Sequence, residues 1–235
     1  MKVQGSVALV TGANRGLGAA FARELLAAGA AKVYAAAREP SAVTLPGVVP
    51  VRLDVTRPEH AAALARELTD VTLLVNNAGI AEFGPLVAPG GIDALHRQLE
   101  TNAVGPLRLV QAFAPALASH GGGAVVNVLS ALSWLTLPDL GGYCASKAAG
   151  WALGNALRQE LKAQGTELLA VHAAFIDTYM ARGVAGPKIA PEDVVRQAIA
   201  ALEAGQPELL ADAITRGVHS GLVAEPPMYL VGPAA

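Results

Sequence analysis

The sequence predicts an α/β protein: a single-domain, doubly wound parallel sheet of about seven strands with helices on both faces. Three observations predict it. Short apolar runs rich in β-branched residues recur along the chain and are nearly continuous, the pattern of strands covered on both faces. Ala- and Leu-rich stretches at helical spacing lie between them, and strands separated by helices join by right-handed crossovers into a parallel sheet. Glycines stand where those helices should end.

The elements follow in order. Val7–Val10 is the first strand, and Gly18–Ala28 a helix that Gly29 closes. Lys32–Ala36 and Val48–Leu53 are the next strands, and His60–Thr69 the helix after them. Thr72–Val75 is the fourth strand, followed by one long helix, Ile92–Ser119, stopped by Gly121–Gly123. Ala124–Val128 is the fifth strand, Tyr143–Ala163 a helix ended by Gly165, and Leu168–His172 the sixth strand. From Pro191 a helix runs to Ala204, a brief strand spans Glu208–Ala211, and a last helix runs to about Leu222. Residues of about 178–190, with Gly183, Gly186 and Pro187, form a short lid-like loop. No composition break marks a linker, so residues 1–235 read as one domain, with a C-terminal helix and Pro-rich apolar tail over 212–235.

Composition excludes several functions. The 235 residues are 53% hydrophobic and 15% charged, against about 45–50% and about 25% in average proteins, so the chain folds into a globule. Nineteen acidic and 17 basic residues give a net charge of −2, and the basic residues stand singly. Nucleic-acid binding needs a basic stripe instead. The lone Cys144 excludes an intrachain disulfide and a cysteine zinc site. The N-terminus has no signal-peptide core. The charge-free stretch Leu109–Pro138 is broken by Pro115, Gly121–Gly123 and Asn127, so it is no membrane helix. The expected location is cytoplasmic, with no membrane partner.

Directly after the first strand comes Thr11-Gly12-Ala13-Asn14-Arg15-Gly16-Leu17-Gly18, opening a helix. Its glycines allow a tight turn and close approach of backbone to a pyrophosphate, and the helix N-terminus offers free N–H groups to the anion. No Gly-Lys-Ser/Thr follows, so it is not a P-loop. At the end of the second strand, NAD-binding folds carry an acid for the ribose 2′-hydroxyl. Here Ala37 and Arg38 hold that place, with Arg15 in the turn. Two guanidinium groups without a carboxylate favour a 2′-phosphate, hence NADP(H), with NAD(H) second.

With these residues in view, the chain resembles the short-chain dehydrogenase/reductase family over about Val3 to Thr178, and the resemblance implies a Rossmann-type sheet. Its marks stand in the family's order: Thr11-Gly12-x3-Gly16-x-Gly18, Asp54-Val55, Asn76-Asn77-Ala78-Gly79, Asn102, Ser130 and Tyr143-x3-Lys147. The resemblance implies that Asp54 and Val55 contact adenine. It implies that Asn76, Asn77, Ala78 and Gly79 brace the sheet and approach the adenosine ribose. It makes Ser130, Tyr143 and Lys147 the catalytic serine, tyrosine and lysine, and Asn102 the fourth member, which shapes a helix and a water path. Phe175-Ile176-Asp177-Thr178 resembles the loop that holds the nicotinamide carboxamide, through Ile176 and Thr178. Ala173-Ala174 replaces the family's usual Pro-Gly, which puts that loop's path in question.

The chemistry suits these groups. Tyr143 and Lys147 are i and i+4 on one helix and share a face. A phenol of pKa about 10 is a poor acid or base near neutrality, and a nearby ammonium favours the phenolate. Tyr143 would then give or take the carbonyl-oxygen proton, and Ser130 would orient that oxygen. Leu132, Trp134 and Leu140, with Tyr179 beyond Thr178, are expected to line the substrate pocket. Their apolar and aromatic character points to a small hydrophobic ketone, aldehyde or secondary alcohol. His60, His96, His120, His172 and His219 show no ligand spacing, and no metal is expected. The long Ala-rich helices resemble those that pair across a two-fold axis in the family, implying a homodimer or homotetramer. The alternative reading is a catalytically silent protein of this fold that senses NADP(H) and regulates a partner.

Overall fold

The computed structural model describes residues 1–231; the end of the 212–235 tail lies outside the described residues. Seven strands form one parallel sheet: β1 (Val7–Thr11), β2 (Lys32–Ala37), β3 (Val49–Arg52), β4 (Leu73–Asn76), β5 (Ala124–Val128), β6 (Glu167–His172) and β7 (Glu208–Leu210). Their order across the sheet is β3-β2-β1-β4-β5-β6-β7, the doubly wound arrangement of a Rossmann-like fold, with the topological switch between β1 and β4. The helices are α1 (Gly16–Ala27), α2 (Pro58–Glu67), α3 (Gly91–Leu99), α4 (Gly105–Ser119), α5 (Gly141–Glu160), α6 (Pro191–Glu203), α7 (Ala213–Gly221) and α8 (Met228–Val231).

Alternate side chains of each central strand enter two cores. Ala8, Val10, Val33, Ala35, Val75 and Val126 meet Phe21 and Leu25 of α1 and Val194 of α6 on one face. Leu9, Leu74 and Val125 meet Leu64 of α2, Leu109 and Phe113 of α4, and Leu157 of α5 on the other. Covering both faces explains the continuous apolar runs. The third strand departs from that pattern, being shorter than the apolar run Val48–Leu53 and largely exposed. It is an edge strand, which is where a ladder tolerates Pro50.

The expected single helix over Ile92–Ser119 is interrupted. Between α3 and α4 lies one π-helical turn, Glu100–Val104. The cause is local: the N–H that would bond the Asn102 carbonyl belongs to residue 106, which is proline. The wider turn carries the Asn102 side chain inward, where only 3% of it remains exposed. Among the described residues no helix is long and apolar enough to cross a membrane.

Candidate active site

All strands point their carboxyl ends to one edge of the sheet, and the cleft there opens at the switch between β1 and β4. Side chains lock its floor. Thr11 Oγ1 donates to the Val75 carbonyl at 3.2 Å and accepts from the N–H groups of Asn77 and Ala78, both at 2.9 Å. Asn77 Nδ2 donates back to the Thr11 carbonyl at 2.8 Å. Gly12 has φ +65°, and a Cβ there would lie 3.1 Å from Ala78 Cα. A Cβ on Gly18 would overlap the Gly12 carbonyl and sit 2.5 Å from Asn77 Nδ2. The turn therefore accepts only glycine at its closest points.

The residues expected to carry the chemistry converge beside this floor. Ser130 caps a short 3₁₀ turn after β5, and its Oγ accepts from Leu132 N–H at 3.1 Å. Tyr143 and Lys147 project from the first two turns of α5. Lys147 is 5% exposed, donates to the Val128 carbonyl at 2.9 Å, and lies 5.7 Å from the Tyr143 ring centre. Burial pushes the Tyr143 phenol up to about 12, opposed by a hydrogen bond with Ser130. Burial pushes the Lys147 ammonium down to about 8. At neutral pH Tyr143 is therefore a protonated phenol, hydrogen-bonded with Ser130. Asn102 holds the wall: its Oδ1 accepts from Ile80 N–H, and its Nδ2 donates to the Ile80 carbonyl and to Ser146 Oγ, each at 2.9 Å. A Cβ on Gly79 would lie 3.1 Å from Asn102 Oδ1 and 3.8 Å from Lys147 Nζ, so the β4 loop passes directly over both.

The short chain dehydrogenase family profile matches residues 6–187. The chain belongs to the short-chain dehydrogenase/reductase family. That family is one of oxidoreductases that use nicotinamide cofactors. A short chain dehydrogenase from Burkholderia cenocepacia, solved in complex with NADP, is similar at 40% identity and a TM-score of 0.91, covering 96% of each chain. Another from Streptomyces avermitilis is 26% identical with a TM-score of 0.84, over 97% of this chain and 96% of that one. A 3-oxoacyl-[acyl-carrier-protein] reductase from Vibrio cholerae is 31% identical over 78% of this chain and 79% of its own. A short chain dehydrogenase from Pseudocercospora fijiensis is 30% identical over 84% of this chain, which spans 65% of that relative's length. For a family member of Bos taurus, SDR family member 7B, the span is 59%.

The turn of this short-chain dehydrogenase fits a dinucleotide. Arg15 stands in extended conformation at the N-cap of α1 with no side-chain cap, and no acid sits in the first turn. The first amides of α1 are thus left to an anion. Asn14, Arg15 and Gly16 are exposed, while Leu17 and Gly18 are buried beneath them. Arg38 is exposed at the end of β2 and faces Asp54. Burial raises the Asp54 carboxyl, but hydrogen bonds from Thr56 and the charge of Arg38 hold it below the usual range. Val55 is buried against Gly105, and its carbonyl is taken by Arg108. Asn76 is also internal, donating to Asn127 Oδ1 at 2.9 Å, a brace between β4 and β5. Ile176 pairs with Ile189 at the base of the 178–190 loop. The Thr178 methyl would meet a Cβ on Gly16 at 3.3 Å. Ala173-Ala174 adopt no positive φ; Ala174 N–H donates to Asp212 at 2.8 Å, tying this segment to α7.

The structure gives three expected pocket residues other partners. Trp134 stacks on His172 with ring centres 4.0 Å apart, and edge-on against Trp151 and His219. Leu132 packs with it in a small cluster with Val218 and Met228. Tyr179 lies over the glycine turn, its ring centre 5.2 Å from the Arg15 guanidinium. Leu140 stands immediately ahead of α5, and Leu86 packs on the neighbouring Gly141.

Sequence reasoning undervalued His172. It is fully buried, with Nδ1 3.1 Å from the Ser130 carbonyl and Nε2 3.1 Å from Glu208 Oε1, off the axis of a full hydrogen bond. It therefore backs the Ser130 turn from behind. The available signal was a histidine in register with Leu168 and Ala170 on a strand otherwise apolar. Among the described residues no group of three His, Cys, Asp or Glu side chains can hold a metal ion.

Proposed function

We propose that the chain is an NADPH-preferring carbonyl reductase, and in reverse an alcohol dehydrogenase, acting on small hydrophobic ketones, aldehydes or secondary alcohols. The observation that carries this reading is the convergence of Ser130, Tyr143 and Lys147 beside the glycine turn, with the phenol held protonated. Gly12, Asn14, Gly16, Leu17 and Gly18 would receive the pyrophosphate. Arg15 and Arg38 would receive a 2′-phosphate, Asp54 and Val55 the adenine, and Ile176 and Thr178 the carboxamide. The NADP held by the Burkholderia cenocepacia relative supports this cofactor.

When bound, the nicotinamide ring supplies hydride in reduction and accepts it in oxidation. The protein handles the proton and the geometry. The Ser130 hydroxyl donates to the substrate oxygen and aims the carbonyl. As negative charge grows on that oxygen, Tyr143 passes it the phenolic proton. The Lys147 ammonium opposes the burial that makes the phenolate costly, so the proton leaves more readily. In oxidation the same phenolate takes the alcohol proton back. Exposed Phe83 and Leu86, with Leu140, offer apolar surface at the mouth of the cleft, which supports a hydrophobic substrate. Assembly as a homodimer or homotetramer belongs to the same proposal, to be checked by light scattering.

The test compares initial rates on a ketone and alcohol panel, with NADPH and NADH side by side, for wild type and Tyr143→Phe. Turnover that prefers NADPH and falls by about 10²–10⁴ in Tyr143→Phe, with NADPH affinity retained, is expected. Tight NADPH binding with no turnover on any substrate would overturn the enzyme reading in favour of a cofactor sensor.

A further inference from the structure

The loop after β6 carries a second cation to the glycine turn. Tyr179–Ala181 form one 3₁₀ turn, with Arg182 as its helical C-cap. Side chains at i and i+3 eclipse in a 3₁₀ turn, so Arg182 and Tyr179 share a face. The Arg182 guanidinium lies 4.5 Å from the Tyr179 ring centre, and that of Arg15 5.2 Å from the same ring. One aromatic ring thus gathers a cation from each side of the cleft.

Neither cation is neutralised. Arg15 and Arg182, like several other arginines of the chain, have no carboxylate partner among the described residues, and here the two unpaired cations share one ring. Asp177, the nearest acid in the loop's sequence, pairs with neither. Two like charges sharing one ring repel unless an anion lies between or beside them. The loop is also held at its stem: Asp177 N–H donates to the Ile189 carbonyl and Ile189 N–H to that of Phe175, each at 2.9 Å. Its 3₁₀ turn is anchored by buried Ala181, while Tyr179 is 62% exposed.

We propose that Arg182 is a further cofactor-binding residue that reaches the pyrophosphate of a bound dinucleotide, with Tyr179 as the stacking spacer that holds it apart from Arg15. The inference rests on the nicotinamide-cofactor reading above. The pyrophosphate is the anion within its reach because the loop crosses Gly16, at the start of α1, through Thr178. Of the two cations assigned to a 2′-phosphate, Arg38 follows β2 on the far side of β1, and the proposed spacer Tyr179 keeps Arg15 apart from Arg182. The contact is therefore common to NADPH and NADH.

The experiment measures dissociation constants for NADPH and NADH by calorimetry, without substrate, for wild type, Arg182→Ala, Tyr179→Phe, Tyr179→Ala and Lys188→Ala. Arg182 is exposed, so its variant should fold, which a circular-dichroism melt verifies. Arg182→Ala should weaken both cofactors alike, by about tenfold, as for one charge-assisted contact. Tyr179→Phe should keep wild-type affinity because the ring remains, and Tyr179→Ala should lose about threefold. Lys188→Ala removes the same charge from the same loop and should change affinity less than about twofold. Weakening confined to NADPH would overturn the pyrophosphate assignment. No weakening in Arg182→Ala, or an equal loss in Lys188→Ala, would overturn the contact itself. If wild type bound neither dinucleotide, the cofactor reading would fall first and this inference with it.

Discussion

At the end of β1, the Thr11 hydroxyl and the Asn77 amide cross-link the glycine turn to the loop after β4, and Gly18 leaves no room for a side chain. A few residues further along that same loop, Phe83 is 70% exposed and Val87 96%. There the backbone is tied to its surroundings mainly by Glu82 N–H to Gln98 and Gly84 N–H to the Asp139 carbonyl. The first region is defined by backbone packed too closely for a side chain, the second by side chains left open to solvent. One wall of the cleft tolerates almost no change, and the other is free to vary without loss of the fold.

The sharpest way to break this contrast is Gly18→Ala. The new Cβ would press on the Gly12 carbonyl and on Asn77 Nδ2, neither of which can retreat without breaking the Thr11 network. A loss of about 3 kcal/mol is expected, at the upper end of overpacking effects, together with loss of cofactor binding. Urea melts and dinucleotide titration check it, and wild-type stability would refute the claim that this wall is locked.

Asn102→Leu is next in size. It strips partners from the Ile80 N–H and carbonyl and from Ser146 at once. Buried polar groups left unpaired cost about 1–3 kcal/mol each, and partial rewetting near the cleft should bring the total to about 2–3 kcal/mol. Asn102→Asp keeps the acceptor for Ile80 N–H and should recover part of it. Equal losses in both variants would mean that the π turn, and not these bonds, sets the stability.

These two positions also show what was legible in the sequence. Every strand and most helices lie within a few residues of where apolar runs and glycines place them, because burial on both faces leaves so direct a pattern. The glycine turn was equally plain, since its close packing demands particular residue types. The π turn was not read, although Pro106, four residues after Asn102, carried the local signal. Trp134 and Tyr179 were expected in the pocket on apolar character alone. Their partners, His172 and Arg15, are 38 and 164 positions distant in the chain, and no local pattern reports a stack formed across the fold. The His172 and Glu208 pairing behind Ser130 is hidden for the same reason.

A pH profile tests the chemistry between the two walls. Lys147 carries its positive charge below about 8 in the free protein because burial disfavours the ammonium, and Tyr143 keeps its proton to about 12. For carbonyl reduction both groups must be protonated in the free enzyme. Then kcat/KM should be level below about pH 8 and fall tenfold per unit above it. Lys147→Arg, which stays charged, should move that break upward even if the overall rate drops. A profile unchanged in Lys147→Arg would assign the break to another group.

The smallest effects on stability belong to the exposed wall. Val87 and Phe83 bury little surface, so Val87→Ser and Phe83→Ala should each alter stability by less than about 0.5 kcal/mol, the range for surface positions clear of caps and cores. Their influence should fall on substrate affinity instead. Phe83→Ala removes an exposed aromatic face from the loop after β4, and its KM for hydrophobic ketones should rise several-fold while the dissociation constant for NADPH stays the same. Val87, pointing fully into solvent, should leave both unchanged. If Phe83→Ala instead lowered stability or weakened NADPH with KM untouched, the loop after β4 would be part of the locked wall, and the division of the cleft would have to be redrawn beyond Val87.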